Sequence, residues 1–153
     1  MEFIKSLQQY VGEVIEKSNI PSSPSNLYEP IRYIMGLGGK RMRPVLTLLG
    51  HHLFDDHYQD SIAAALSVEL FHNFTLVHDD TMDDAPKRRS GEFVHRKWNN
   101  NVAILSGDAL LIMAYQKLQN VPRNVGKILS LFNKTALEIC EGQQRDIAFE
   151  KME

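Results

Sequence analysis

Residues 69–84 read Glu-Leu-Phe-His-Asn-Phe-Thr-Leu-Val-His-Asp-Asp-Thr-Met-Asp-Asp, an apolar stretch with helical spacing that ends in four carboxylates. On a helix, Asp79 and Asp83 lie one turn apart, and so do Asp80 and Asp84. Like charges at this spacing repel each other, and acidic groups at a helix C-terminus also oppose the helix dipole. Helix stability therefore does not explain the cluster, and the pattern predicts a positive partner, for which a divalent cation and the basic run Lys87-Arg88-Arg89 are the nearest candidates.

His72, Asp79 and Asp83 lie along one stripe of this helix, within about 20° of a common line. A ligand set of carboxylate oxygens favours Mg²⁺ or Mn²⁺ over Zn²⁺. Mg²⁺ held by one or two carboxylates usually completes its shell with water and substrate phosphates. The stripe thus favours a metal site that also binds a phosphorylated substrate. The alternative is a solvated acidic helix end with His72 in the core.

A basic segment, Gly38-Gly39-Lys40-Arg41-Met42-Arg43-Pro44, lies earlier in the chain. It lacks the spacing of a phosphate-binding P-loop. Glycines beside three cations at the start of a helix nevertheless suit an anion, because backbone N–H groups, the helix dipole and arginine side chains all attract negative charge. The alternative is a glycine helix break with solvated charges.

Lys87, Arg88 and Arg89 follow the aspartates directly. Such a run is commonly a solvated loop, but beside a carboxylate cluster it is suited to bind the remaining oxygens of a metal-bound phosphate. Nucleic-acid binding is disfavoured, because aromatic residues are sparse among the cations and the net charge is −2. Gln143, with Asp146 three residues on, is a weaker polar pattern whose alternative is an exposed helix turn.

Composition predicts a single domain over residues 1–153. The chain has 153 residues, of which 43% are apolar, and this is enough for a sizeable core. Its one cysteine, Cys140, excludes an internal disulfide and suits a reducing cytosol, so we expect a cytoplasmic protein. The N-terminus lacks a secretory signal, and no apolar run approaches the length of a membrane span.

Periodicity predicts an all-α fold, because apolar residues recur with helical spacing throughout and strand-like alternation is absent. We predict helices at 2–18, 27–36, 42–54, 60–84, 106–118 and 122–150, with a single turn at 94–98. The helix at 106–118 has an alternative start near residue 101. Pro30 would lie in the first turn of its helix, and Asp60 and Ser106 would cap the helices that they begin.

The order of these motifs resembles the trans-isoprenyl diphosphate synthases, or polyprenyl synthetases. The matching segments are residues 38–44, then 69–83 with its Asp-Asp-x-x-Asp pattern, then Arg88-Arg89. The resemblance continues through residues 101–108 and 141–150 and covers nearly the whole chain. It implies an all-α helical bundle of the isoprenoid-synthase type. Family members are about twice as long and carry a second Asp-rich motif, so the chain would be the N-terminal half of such a fold.

The resemblance also implies ligands for the polar candidates. The diphosphate of isopentenyl diphosphate would be bound by Lys40, Arg43, His72 and Arg89. Asp79 and Asp83 would bind Mg²⁺ that bridges to the diphosphate of an allylic substrate, and Arg88 and Gln143 would lie near the same diphosphate. In the family a glycine usually follows the second arginine, whereas this chain has Ser90 there, which puts the shape of that loop in question.

Phe74 and Thr75, together with Phe71, would form the floor of the pocket for the allylic chain. Aromatic bulk at this place would suit a short product, such as farnesyl or geranylgeranyl diphosphate. The implied enzyme is a prenyltransferase of isoprenoid biosynthesis, with Asp79, Asp83, Arg88 and Lys40 as catalytic residues. We expect the chain alone to be inactive, because half of the metal site would be missing, and to form homodimers through its exposed apolar faces.

Two other classes of protein remain open. One is a non-catalytic, diphosphate-binding partner subunit of a heteromeric prenyl synthase, although a silent subunit has no need for four aspartates. The other is a terpene cyclase, which shares the aspartate chemistry. The Gly-Gly-Lys-Arg segment argues against a cyclase, because a cyclase does not need a second diphosphate pocket.

Overall fold

The structure is a computed structural model that describes residues 2–83, 91–149 and 152. These residues form seven α-helices and one short 3-10 helix. They are α1 (Glu2–Glu16), α2 (Ser25–Gly36), α3 (Met42–His52), the 3-10 helix (Tyr58–Ser61), α4 (Ile62–Met82), α5 (Val94–Lys97), α6 (Asn100–Leu118) and α7 (Val125–Phe149). The predicted all-α fold class is confirmed, and every predicted helix is present with its ends shifted by a few residues.

Two predicted helix caps are wrong, and the structure shows why. Asp60 lies inside the 3-10 helix, and the residue before α4 is Ser61, whose hydroxyl donates to the carbonyl of Tyr58 (2.7 Å). Ser106 is buried within α6, where its hydroxyl donates to the carbonyl of Leu27 (3.0 Å). The cap of α6 is Asn99, which accepts the backbone N–H of Val102 (2.9 Å), so the earlier alternative start is the correct one.

Pro30 is also placed differently from the prediction. The N–H groups of Leu27 and Tyr28 donate to the carbonyl of Pro24 (3.1 and 3.3 Å), so α2 already begins at Ser25. Pro30 is therefore an interior residue of α2 and not part of its first turn. Because proline has no N–H, the carbonyl of Asn26 lacks the usual backbone donor at this point of the helix.

Helix α4 occupies the centre of the packing, with α6 as its main neighbour and α3 as its second. Helix α6 also packs against α2, and α1 packs against α3. Gly107 of α6 permits the close approach of α4, since a Cβ at this position would lie 2.9 Å from Nε2 of His78. The side chains that are fully excluded from solvent include Leu7, Val11, Ile31, Val45, Leu48, Val77 and Leu110.

The chain divides into two compact units, Met1–Asn120 and Val121–Glu153. The first contains α1 to α6. The second contains α7, a helix of 25 residues on which none of the described side chains is buried. None of the helices in the described part of the chain combines the length and the apolar character needed to cross a bilayer.

Candidate functional site

The loop between α2 and α3 contains three residues with positive φ. Gly38 has φ 76° and Gly39 has φ 135°, conformations that glycine adopts without steric cost. Arg41, the residue directly before α3, has φ 47° and lies in the left-handed region. A side chain in this region costs free energy, and such a conformation persists only where the surroundings enforce it.

The side chain of Arg41 supplies that enforcement. Its guanidinium donates from Nη1 to Oε1 of Glu69 and from Nη2 to the carbonyl of Met35, both at 2.5 Å. The side chains of Arg41 and Glu69 are only 10% and 6% exposed. Arg41 is therefore committed to a buried ion pair. Of the three cations that the sequence suggested for an anion, Arg41 is therefore the one that stabilises the loop.

Lys40 and Arg43, the other two cations of this segment, are exposed. The backbone carbonyl of Lys40 accepts a hydrogen bond from Nε2 of Gln8 in α1 (2.7 Å). Nη1 of Arg43 lies 3.1 Å from Nε2 of His72 in α4. Because a guanidinium only donates, Nε2 is the accepting nitrogen and the ring is assigned its proton on Nδ1. The structure thus brings together two candidates that are 29 residues apart in sequence.

The acidic candidates lie further along the same helix. Asp79 is seven residues after His72, which is about 10 Å along a helix axis, and on the same stripe. Asp83 follows α4 directly, and its N–H donates to the carbonyl of Asp79 (2.9 Å), so the two carboxylates lie one helical turn apart. Asp79 is half-buried and Asp83 is exposed.

This pair suits an oxygen-binding divalent cation. Among the described residues, no group of three or more His, Cys, Asp or Glu side chains is arranged to hold a metal. Two carboxylates at a helix end nevertheless match the way in which Mg²⁺ is usually bound, with the remaining positions taken by water and phosphate oxygens. Asp84, Arg88 and Arg89 lie outside the described residues.

Beyond those arginines, Gly91 and Glu92 contact α2 through the side chain of Tyr33. The hydroxyl of Tyr33 donates to the carbonyl of Glu92 (2.9 Å), and a Cβ on Gly91 would lie 2.8 Å from the same hydroxyl. The ring centroid of Tyr33 lies 5.4 Å from the ring centroid of Trp98 and 4.2 Å from Nζ of Lys97. Only glycine fits this contact without a shift, so residue 91 is fixed against α2.

Comparison with known proteins decides the family. A model of the family described as polyprenyl synthetase matches residues 24–153. The chain belongs to this family. A geranylgeranyl pyrophosphate synthase of Geoglobus acetivorans is 40% identical over 153 residues, which cover 98% of this chain and 48% of that protein. A geranylgeranyl diphosphate synthase of Methanosarcina mazei is 40% identical over 150 residues, covering 96% and 46%.

Solved structures agree with this assignment. The crystal structure of a geranylgeranyl pyrophosphate synthase aligns with a TM-score of 0.94 at 45% identity, covering 98% of this chain and 46% of that one. The prediction of an isoprenoid-synthase type helical bundle is therefore confirmed. The chain spans about half the length of the curated relatives that it matches.

In this polyprenyl synthetase chain, two of the three candidates for the tail pocket, Phe74 and Thr75, lie on different sides of α4. Thr75 is about 40° from Asp79 around the helix, whereas Phe74 is about 140° away. The ring of Phe74 packs against Phe71 (5.5 Å between centroids) and edge-on against His78 (4.7 Å). The hydroxyl of Thr75 donates to the carbonyl of His72 (2.9 Å). Their role in the pocket stays a prediction.

Gln143 lies on α7, in the second compact unit, and is half-buried. Its assignment to the allylic diphosphate also stays a prediction. The sequence interpretation missed Glu69, although a carboxylate in the middle of an apolar helix, three residues before His72, is a signal that could have found it. Asn73 was missed as well, although it is also a polar residue within an apolar helix. Its amide lies in the core and donates to the carbonyl of Glu69 (2.8 Å).

Proposed function

We propose that the chain forms the substrate-binding part of a trans-prenyltransferase that joins isopentenyl diphosphate to an allylic diphosphate. The observation that carries this proposal is the layout of α4. One stripe of this helix presents His72, in contact with Arg43, then Asp79 two turns later, and Asp83 one turn further at the end of the helix. The two ends of the stripe suit two diphosphates, one held by cations and one held through a metal.

The cationic end would bind isopentenyl diphosphate. Lys40 and Arg43 are exposed at the start of α3, where helix N–H groups add to the positive potential. Arg43 carries five N–H donors, and its contact with His72 uses one of them. The guanidinium is thereby oriented while the rest of its fork can reach diphosphate oxygens.

The acidic end would hold the allylic diphosphate through a divalent cation. Asp79 and Asp83 would bind it, with Mg²⁺ as the expected ion and Mn²⁺ as the second choice. The polyprenyl synthetase family generally uses a divalent metal. When bound, such an ion stabilises the negative charge that builds on the departing diphosphate. Arg88 would add positive charge at the same place, whereas Arg89 would join Lys40, Arg43 and His72 at isopentenyl diphosphate.

The reaction would break the C–O bond between the allylic carbon and its diphosphate. The double bond of isopentenyl diphosphate forms the new C–C bond, and a proton then leaves the product. The chain has to keep water away from the allylic cation, which requires an apolar wall. Phe74 and Thr75 are our candidates for the part of this wall that limits the product to fifteen or twenty carbons, and Gln143 for a polar contact near the allylic diphosphate.

We further propose a cytosolic dimer as the working form. A non-catalytic partner subunit is the second candidate, and it would use the same cationic site. A cyclase would not bind isopentenyl diphosphate at Lys40 and Arg43.

Calorimetric titration of isopentenyl diphosphate into the 153-residue chain tests the proposal. We expect saturable binding that Arg43→Ala weakens by about tenfold or more, because a charge-assisted contact is removed. Arg123→Ala, at an exposed position of the second unit, serves as the matched control and should bind like the wild type. A folded wild-type chain that does not bind isopentenyl diphosphate would contradict the proposal.

A further inference from the structure

We propose that Arg41, Glu69 and Asn73 are positioning residues that hold Arg43 and His72 in the geometry needed for isopentenyl diphosphate. This inference rests on the proposed function and extends it to residues that would not touch the substrate. The three side chains form a buried polar network beneath the exposed pair. Taken as whole residues, backbone included, Glu69 and Asn73 are each 4% exposed.

The network joins three helices at one point. Arg41 donates to the last turn of α2 through the carbonyl of Met35 and to α4 through the carboxylate of Glu69. Arg41 itself is the residue from which α3 begins. A guanidinium is suited to this task, because its N–H groups point in fixed directions and a lysine could not serve both acceptors with the same geometry.

Asn73 supports the carboxylate from its own helix. Its Nδ2 lies 2.8 Å from the carbonyl of Glu69 and 3.5 Å from Oε1, the oxygen that Arg41 contacts. A buried ion pair adds little to stability compared with an apolar pair of the same shape, and its better-attested role is to define one arrangement. The network of Arg41, Glu69 and Asn73 is therefore better suited to fix the arrangement of its helices than to stabilise the fold.

The buried and exposed contacts are arranged as two neighbouring rungs between α3 and α4. Arg41 and Arg43 are two residues apart at the start of α3, and Glu69 and His72 are three residues apart on α4. The inner rung is Arg41 with Glu69, and the outer rung is Arg43 with His72. Loss of the inner rung would release the left-handed backbone of Arg41, and the start of α3 would no longer hold Arg43 against His72.

Two substitutions break the inner rung while leaving the outer residues in place. Glu69→Gln keeps the shape of the side chain and removes its charge. Arg41→Lys keeps the charge and removes the fork. The matched control is Glu13→Gln, which removes an exposed carboxylate that pairs with Lys17 at 3.7 Å. Isopentenyl diphosphate is titrated into each folded variant by calorimetry, and the ring nitrogens of His72 are followed by NMR without ligand.

We expect both inner-rung variants to bind isopentenyl diphosphate about tenfold more weakly with unchanged stoichiometry, and the Nε2 signal of His72 to shift. Glu13→Gln should match the wild type in both measurements. A merely structural role would lower the stoichiometry and leave the dissociation constant of the folded molecules unchanged, and that result would overturn the inference. Wild-type affinity in both inner-rung variants would overturn it as well.

The two proposals fail in different ways. If the wild-type chain does not bind isopentenyl diphosphate, the proposed function fails, while the His72 signals still report whether the inner rung holds the outer one. If Glu69→Gln does not fold, Arg41→Lys carries the same comparison, because it retains a positive charge opposite the carboxylate. An unshifted His72 signal in a folded Arg41→Lys variant would then count against the inference.

Discussion

At the scale of single residues, the contact between Arg43 and His72 joins the two parts of the sequence that carried most of the functional interpretation. The spacing of the basic segment placed Arg43 at the start of a helix, and periodicity placed His72 on the stripe of Asp79. Neither pattern shows that Arg43 contacts His72, because this contact depends on the packing of α3 against α4. The 3.1 Å contact supports a common role for residues that the sequence could only propose separately.

Arg41 illustrates the limit of sequence reasoning at this scale. Three cations beside two glycines appear equivalent in the sequence. The structure separates them, because one side chain is buried with Glu69 while Lys40 and Arg43 stay exposed. The difference depends on a carboxylate 28 residues away, and no local pattern in the segment reports it.

Substitution of His72 tests the acceptor role of its ring. His72→Gln keeps an oxygen that can accept from Arg43, so we expect only a small loss of affinity for isopentenyl diphosphate. His72→Phe keeps a planar ring without an acceptor, and we expect it to bind about tenfold more weakly than His72→Gln. Calorimetric titration of both variants provides the measurement. Equal affinities would show that the ring fills space and does not orient Arg43.

At the scale of helices, the sequence predicted the existence of each element well, because amphipathic periodicity extends over many residues and tolerates local exceptions. The starts were less predictable. Asp60 and Ser106 are good capping residues by type, but each lies where tertiary packing or a 3-10 turn decides the boundary. Asn99 is the residue whose side chain accepts from the first turn of α6, and the apolar face before Ser106 had indicated such a start only as an alternative.

The end of α4 carries a prediction about charge. Asp83 repels Asp79 one turn away and opposes the helix dipole, so its neutralisation should stabilise the chain when no metal is present. We expect Asp83→Asn in a chelating buffer to raise the free energy of unfolding by up to about 0.5 kcal/mol. With Mg²⁺ and inorganic diphosphate the order should reverse, because the wild type gains binding energy that the variant lacks.

Thermal or denaturant unfolding under both conditions provides the measurement. The control is Asp60→Asn, a substitution at an exposed position in the 3-10 helix. The difference in free energy of unfolding between this variant and the wild type should be the same in both buffers. If Mg²⁺ with diphosphate stabilises the wild type and Asp83→Asn to the same extent, Asp83 is not a ligand of the metal.

At the scale of the whole molecule, the family and the helical fold were predictable, because several motifs occur in a fixed order over nearly all of the chain. The division into two compact units was not predicted, and it separates the candidate site residues into two groups. Lys40, Arg43, His72 and Asp79 belong to the first unit, whereas Gln143 belongs to the second. A single domain over residues 1–153 stays a prediction, as does the place of Gln143 beside the allylic diphosphate.

This division predicts that residues 1–120 fold and bind isopentenyl diphosphate without the remainder of the chain. Of the residues proposed for isopentenyl diphosphate, Lys40, Arg43 and His72 lie on α3, on α4 or on the loop before α3, and Arg89 lies outside the described residues. The core of this unit is formed by α1 to α6. We expect cooperative unfolding and a dissociation constant within about threefold of that of the full chain, because Lys40, Arg43 and His72 all belong to the first unit. Residues 121–153 alone should be largely unfolded, because a lone helix without buried side chains is marginal in water.

Far-ultraviolet circular dichroism and calorimetry on the two fragments provide the measurement. A chain that ends at residue 99 is the matched control: it lacks α6, the main packing partner of α4, and should lose cooperative unfolding together with binding. If residues 1–120 fold cooperatively but do not bind isopentenyl diphosphate, the second unit contributes directly to the site. If residues 1–99 bind as well as residues 1–120, the packing of α4 against α6 does not hold the site in place, and the support that we assign to this pair of helices is wrong.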